Sequence, residues 1–485
     1  MKQAEALSKS KSLFIEMVID EWSERNNLAS LAGEQSFRQV LIVSPNFPPV
    51  NTPDHQRVRM SLPYYKGFGW TPHILTLDPQ SRNDLVAGRY DPDLVKTLPE
   101  DLQITWAKPI GGRIVGNGVA SLIMQCLAGF HSAGAAIMKI KKIDLVFFST
   151  TLFPLTILGP LWRRKYKIPY VMDFQDPWLS DYYANHRTSP PGGRLKYGLS
   201  QRMAEFLEPR VMRQVSQIIS VSPAYKEILL RRYEWLGEQQ FTILPFGAPE
   251  KDFEQMQSLG IKQKIFDPSD GYQHWVYVGV VPGSMLWVLK AFLAGIRQNR
   301  ERAPGKWGKV KFHFVGTNYV PGKRAQEIVR PIAEQLGVAD MIVEHASRVN
   351  YLEALKILQD SHGILVIGSD DPGYTASKIY PCILARKPLL AICHEKSSIV
   401  ELLNRCHCGE VLTFNQNTSL LELGQRIAAQ FQDFLSHSEK YTPSTDWTEF
   451  AQYSAREMTR HQCLVFNKAV NFIPQEKYVD QTSSN

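Results

Sequence analysis

Short apolar runs separated by longer mixed segments divide the chain from Gln39 onward. Runs at Val40–Ser44, His73–Leu77, Asp144–Phe148, Tyr170–Asp173, Ile218–Val221 and Thr242–Leu244 have the length and flanks of buried strands. A second series occupies Trp275–Val278, Lys311–Val315, Met341–Val343, Ile364–Ile367 and Leu389–Cys393, with a strand-like Val411–Phe414 after it. Helical periodicity lies between them, over Arg57–Lys66, Pro154–Arg164, Met285–Ile296, Lys323–Leu336, Tyr351–Gln359 and Leu420–Phe434. Strands joined by crossovers this long predict parallel, doubly wound sheets. The region from 80 to 140 fits neither period cleanly.

A polar stretch from Glu250 to Tyr272 separates the two series. At 485 residues the chain is too long for one core. Residues 1–36 read as an N-terminal appendage with a short amphipathic segment, 37–255 as one Rossmann-like domain and 271–445 as a second. In such folds the ligand lies beyond the carboxyl ends of the strands, which for a facing pair is the cleft between domains.

Composition is that of a folded protein, with 44% hydrophobic and 21% charged residues. The net charge of +8 suits anionic substrates or an acidic membrane surface, but it includes no dense basic block, so no nucleic-acid partner is expected. The six cysteines are scattered, as in a reducing compartment, and the N-terminus has no apolar signal core, so a cytoplasmic location is expected. The segment from Ile114 to Met138 carries no charged residue. It reads as a half-buried helix, with a membrane-surface helix the next reading and a spanning helix the last. A peripheral contact at the inner face of a membrane is therefore kept open.

The richest chemistry lies between Gly368 and Ile392. Behind the strand Ile364–Ile367 comes a polar turn, then Ser377 and Lys378 open a helix of about ten residues that Lys387-Pro388 breaks before the next strand. That turn offers backbone N–H groups, a hydroxyl and an ammonium at one point, an arrangement that binds anions.

The pattern resembles a GT-B glycosyltransferase of the family 4 type, over roughly Arg38 to Val470. The likeness is carried by Val40-Leu-Ile-Val-Ser-Pro-Asn-Phe-Pro-Pro49, Lys66-Gly-Phe-Gly-Trp-Thr-Pro-His-Ile-Leu-Thr76 and Pro169-Tyr-Val-Met-Asp-Phe-Gln-Asp-Pro-Trp178. It continues through Ile219-Ser-Val-Ser-Pro223, Leu244-Pro-Phe-Gly247, Tyr277-Val-Gly279 and Ser377-Lys-Ile-Tyr-Pro-Cys-Ile-Leu-Ala-Arg-Lys-Pro388. The resemblance implies an α/β fold of two Rossmann-like domains facing each other across a cleft, with a C-terminal helix, 446–470, crossing back to the first. It implies transfer of a sugar from a nucleotide-sugar donor, used as co-substrate without a further cofactor or metal, to a saccharide or lipid-linked saccharide acceptor in surface polysaccharide or glycoconjugate synthesis.

Carried residue by residue, the resemblance gives the donor to Gly279, Gly283, Ser284, Arg348, Gly373, Tyr374, Thr375, Ser377 and Lys378. It gives the acceptor to Asp54, His55 and Trp178. Asp176, with Asp173 behind it, would accept the acceptor's proton, and Arg57 or Arg59 would reach the phosphates. The departures are as specific. Val280 and Met285 stand where the family has an Arg and a Lys, and Pro381 stands at the second of its two glutamates. Two other readings therefore stay open: a catalytically inert GT-B binding or partner subunit, and a sugar-nucleotide epimerase. Each site residue also has a plain reading. Lys378 could be a solvated helix-start lysine, Asp176 and Asp173 turn or strand-end caps, and Arg57 a partner of Asp54. The pairs Asp370-Asp371, Cys393-His394 and Cys406-His407-Cys408 point only weakly to a metal.

Overall fold

The structure is a computed structural model of the chain, describing residues 37–81, 89–112, 119–179, 193–318, 322–370, 377–437 and 443–472. Two compact units are distinguished: Met1–Arg38, of which only Phe37 and Arg38 are described, and Gln39–Asn485, which holds everything below.

The first lobe is built on seven parallel strands, β1 (Arg38–Val43), β2 (Trp70–Leu77), β3 (Gln103–Ala107), β4 (Leu145–Ser149), β5 (Tyr170–Phe174), β6 (Gln217–Ser220) and β7 (Phe241–Ile243). They lie in the order β3-β2-β1-β4-β5-β6-β7, so the strand order reverses between β1 and β4. The second lobe has six, β8 (Gln273–Val278), β9 (Val310–Val315), β10 (Ile342–His345), β11 (Gly363–Ile367), β12 (Leu389–His394) and β13 (Glu410–Phe414), in the order β10-β9-β8-β11-β12-β13, with its reversal between β8 and β11. The pairings of β2 with β3, of β1 with β4 and onward to β7, and all five of the second sheet are parallel. The near-continuous apolar runs follow from this, since helices cover both faces and β4, β5, β11 and β12 are buried throughout. The α/β architecture of two facing lobes is as expected.

Helices that bear on function are α1 (Gln56–Ser61), α2 (Val119–Ile140), α3 (Leu158–Tyr166), α4 (Arg194–Met212), α5 (Pro223–Arg232), α6 (Glu250–Ser258), α7 (Leu286–Arg302), α8 (Val329–Gln335), α9 (Tyr351–Asp360), α10 (Ile379–Leu384), α11 (Ser398–Cys406), α12 (Leu420–His437) and α13 (Ala455–Val470). Several expectations are corrected. The helix expected over Arg57–Lys66 stops at Ser61, because Pro63 has no N–H to donate to the Arg59 carbonyl, which accepts from the Leu62 N–H at 3.3 Å instead, and a left-handed Gly69 turns the chain into β2. The Lys323–Leu336 helix is shortened to α8, whose N-terminal amides at Ile328, Val329 and Arg330 donate to the Glu344 carboxylate. The ambiguous region holds β3, an edge strand whose mixed burial hides the strand period. The polar stretch that separates the two series contains α6, which buries Phe253 and Met256.

The uncharged segment before Met138 forms most of α2, with Cys126, Phe130 and Ile137 buried. Among the described residues no helix is long and apolar enough to cross a membrane. After β13, α12 returns over the second lobe, Phe450 enters that lobe's core, and α13 places Met458, Val465 and Phe466 in the core of the first. The chain's end thus belongs to both halves.

Candidate functional site

The carboxyl ends of β1, β4, β5 and β6 converge at the first sheet's reversal. The loops that leave them line a cavity of about 510 Å³, closed on its far side by Ser377 and Tyr380 of the second lobe. Asn46, Asp54, Gln175, Asp176 and Ser222 supply its polar wall, with Pro245 and Phe246 apolar beside them. The location is the one that open parallel sheets reserve for ligands.

Asp176 is exposed in this cavity. The surrounding protein, and Asp54 after it, push its carboxyl above the ordinary range, although water at the exposed edge screens the pair. Asp54 is buried at the cavity wall and accepts from Asn46 Nδ2 at 2.7 Å; burial raises its carboxyl too. Two neighbouring acids of raised affinity for protons form a place where a proton can be received.

On the opposite side, β8 ends at Gly279, whose φ of +148° is a glycine conformation. A Cβ built on it would stand 2.2 Å from the Nζ of Lys378, so the missing side chain is what lets the ammonium rest against this backbone. Lys378 is exposed, yet neighbouring atoms crowd its ammonium; desolvation and then Arg348 lower its pKa to about 8. Its proton is held less firmly than that of a free lysine. The loop after β8 is tied to the loop after β11 by the Asp370 N–H donating to the Ser284 carbonyl at 3.0 Å. Gly279, Gly283, Ser284, Ser377 and Lys378 therefore gather at the second sheet's reversal, with Arg348 close enough to act on Lys378 electrostatically. Gly373, Tyr374 and Thr375 lie outside the described residues.

Other expected residues are placed elsewhere. Arg57 and Asp173 are fully buried and bonded to each other, Nε to Oδ2 at 3.0 Å. The Arg57 Nη1 and Nη2 groups donate to the carbonyls of Pro245 at 3.1 Å and Leu244 at 2.7 Å. Asp173 Oδ2 also accepts from Ser149 at 2.8 Å and Gln175 at 2.7 Å. As placed, neither meets the cleft, because a guanidinium this deep must spend its donors on its own lobe. The pairing of Arg57 with Asp54, weighed from sequence, gives way to Asp173. Arg59, the alternative phosphate ligand, is likewise engaged, forking onto Asp252 at 2.6 Å through both Nη1 and Nη2.

His55 is buried, its Nε2 accepting the Thr52 N–H at 3.4 Å, and burial with Arg59 pushes its pKa down to about 3. It is a neutral turn-holding ring rather than a group open to an acceptor. Trp178 stacks on Phe153 with ring centres 5.4 Å apart, half-buried against the first lobe's core. Sequence reasoning passed over Asn46, Gln175 and Ser222, though each stands in a quoted loop. Gln175 donates to Asp173, to Ser149 Oγ at 3.0 Å and to the Asp54 carbonyl at 3.0 Å, linking the buried pair to the cavity floor. The signal available was position alone: a polar residue directly after a strand's carboxyl end. Among the described residues, no group of three or more His, Cys, Asp or Glu side chains is placed to hold a metal.

No protein-family model matches the chain, and no curated protein matches it in sequence. Solved structures do match. A glycosyltransferase from Rickettsia africae superposes with a TM-score of 0.56 at 14% identity, over 90% of this chain and 99% of the other. The Anabaena protein HepE in complex with UDP and glucose gives 0.53 at 12%, over 89% and 99%. The pneumococcal O-GlcNAc transferase GtfA in complex with UDP and GlcNAc gives 0.52 at 9%, over 89% and 99%. The chain has the GT-B fold that these share.

Proposed function

We propose that the protein transfers a glycosyl group from a nucleotide-sugar donor to a saccharide or lipid-linked saccharide acceptor, in the building of surface polysaccharide or glycoconjugate at the cytoplasmic side of a membrane. The observation that carries this reading is the cleft itself: an ammonium lodged on a bare glycine backbone at one sheet's reversal, and two proton-retaining carboxyls at the other's. UDP and a sugar accompany the structures of two neighbours in fold, and a ligand of that kind has the charge and size for this gap.

In this reading the donor's diphosphate lies against Lys378, the Ser377 and Ser284 hydroxyls and the backbone at Gly279 and Gly283, with Arg348 as a second cation. Negative charge grows on the diphosphate as the sugar–oxygen bond breaks, so donors already aimed there lower the barrier most. Asp176 accepts the proton of the attacking hydroxyl, and Asp54 keeps its affinity for that proton high.

One observation favours the inert binding subunit. Val280 and Met285 are buried and apolar where the fold's relatives by motif carry cations, and the Tyr277 hydroxyl donates to the Val280 carbonyl at 2.9 Å and approaches Met285 Sδ at 3.4 Å, closing that wall. Incubation with a panel of nucleotide sugars separates the readings. Release of free nucleoside diphosphate is expected; binding with no change in the donor would establish the inert subunit, and isomerised donor an epimerase.

A further inference from the structure

The three helices α2, α3 and α4 follow β3, β4 and β5, and right-handed crossovers put them on one face of the first sheet, with α3 packed between the other two. Their outward residues are unusual. On α4, Leu195, Leu199, Arg202, Phe206 and Arg210, with Arg213 at its C-cap, follow one another at steps of three or four, so they form a single stripe along the helix. All are exposed, Leu199 at 64% and Phe206 at 59%, values that a core-seeking leucine or phenylalanine does not normally keep. The Arg210 guanidinium lies 3.5 Å from the centre of the Phe206 ring, and Arg213 lies 4.9 Å from that of the half-exposed Trp235. On α3 the outward residues are Leu161, Arg164 and Lys165. On α2 they are Ala128, Ser132 and Ala136, ending at Lys139 and an Ile140 that is 80% exposed.

Among the described residues this face is poor in carboxylates, with Glu205 and Glu234 exposed at its edges. Neither α2 nor α3 contains an Asp or Glu. Of the two on α4, Glu208 is buried and bonded to Arg232 and Tyr233 at 2.6 Å each, which leaves Glu205 at the stripe's margin. A merely solvated helix face mixes both signs of charge and carries few large apolar groups. A nucleic-acid face would hold cations without leucine, and a protein interface core, though rich in arginine and aromatics, is depleted of lysine, which Lys139 and Lys165 supply here. Aromatic and aliphatic side chains set among cations that outnumber the anions match the boundary of an anionic bilayer. There apolar tips enter the acyl edge, and arginine and lysine heads meet lipid phosphates while their stems stay buried.

We propose that the outer face of α2, α3 and α4 is a docking surface for an anionic lipid membrane. The test is sedimentation of the full 485-residue chain with vesicles of phosphatidylcholine containing phosphatidylglycerol, against pure phosphatidylcholine. Binding is expected to the anionic vesicles, falling as salt rises. The triple variant Leu161→Glu, Leu199→Glu, Phe206→Glu should remain in the supernatant with an unchanged circular dichroism spectrum. The variants Arg202→Ser and Arg210→Ser should each weaken vesicle affinity by about fivefold. Failure of the unmodified chain to sediment, or equal sedimentation of the triple variant, would overturn the proposal and leave the face to a protein partner. The assay reads no sugar transfer, so its outcome is independent of the donor panel.

Discussion

Whether a polar residue acts or merely supports is decided by what surrounds its charged atoms. Asp173 and Asp176 stand three positions apart on one strand end, yet the first is enclosed by Arg57, Ser149 and Gln175 while the second opens into the cleft. Asp176→Asn keeps the size and removes the base, so turnover should fall by about 10² to 10⁴ with donor affinity unchanged; initial rates beside calorimetric donor binding would show both. Lys378→Ala should weaken donor binding by about 1 to 3 kcal/mol in the same calorimeter. Its pH dependence has a definite sign. An ammonium with a pKa near 8 is charged below that value and neutral above it. Donor affinity in the unmodified protein should therefore decline as pH rises through about 8, and the alanine variant should lose that decline.

At the scale of elements, helices sit where close approach allows. α7 and α12 cross at Gly295 and Gly424, and a Cβ built on Gly295 would lie 2.7 Å from the Gly424 carbonyl oxygen and 3.0 Å from a methyl of Ile427. The carbonyl oxygen cannot step aside without moving its backbone. Gly295→Ala should accordingly destabilise the second lobe by about 1 to 3 kcal/mol, despite alanine's better helix propensity; urea denaturation followed by circular dichroism measures the difference. α10 illustrates the opposite case. It is only six residues long, so what the Ser377–Lys378 turn offers a ligand is the lysine and the hydroxyl more than a helix field.

The two lobes are one molecule because late segments of the chain complete early ones. Phe466 of α13 packs on Tyr65, Trp70 and Phe147 of the first lobe, with ring centres 6.1, 5.3 and 5.1 Å away. Phe466→Ala should cost about 3 to 5 kcal/mol, and the loss should appear in the unfolding of the first lobe although the substitution lies near the C-terminus. Hydrogen exchange at β1 and β4 would register it. A second tie lies at the lobes' margin: Tyr351 of α9 donates from its hydroxyl to Asp252 at 2.7 Å, and its backbone N–H donates to Asp91 at 2.6 Å. With the Arg59 fork on Asp252, this network ties the two lobes together.

The period of apolar residues determined two doubly wound parallel sheets, because strands buried on both faces leave apolar runs that no other arrangement needs. The Ser377–Lys378 turn stands out as a candidate for a related reason: a hydroxyl and a lysine where the loop after a buried strand opens a helix suit an anion. Tertiary structure alone decided the fate of Arg57, whose partners Leu244 and Pro245 lie 187 and 188 residues further along the chain. The same holds for His55, pressed into a wall that distant segments form. Burial belongs to the assembled chain, and two carboxylates or two arginines with similar neighbours in sequence differ only once the fold has enclosed one of them and left the other in water.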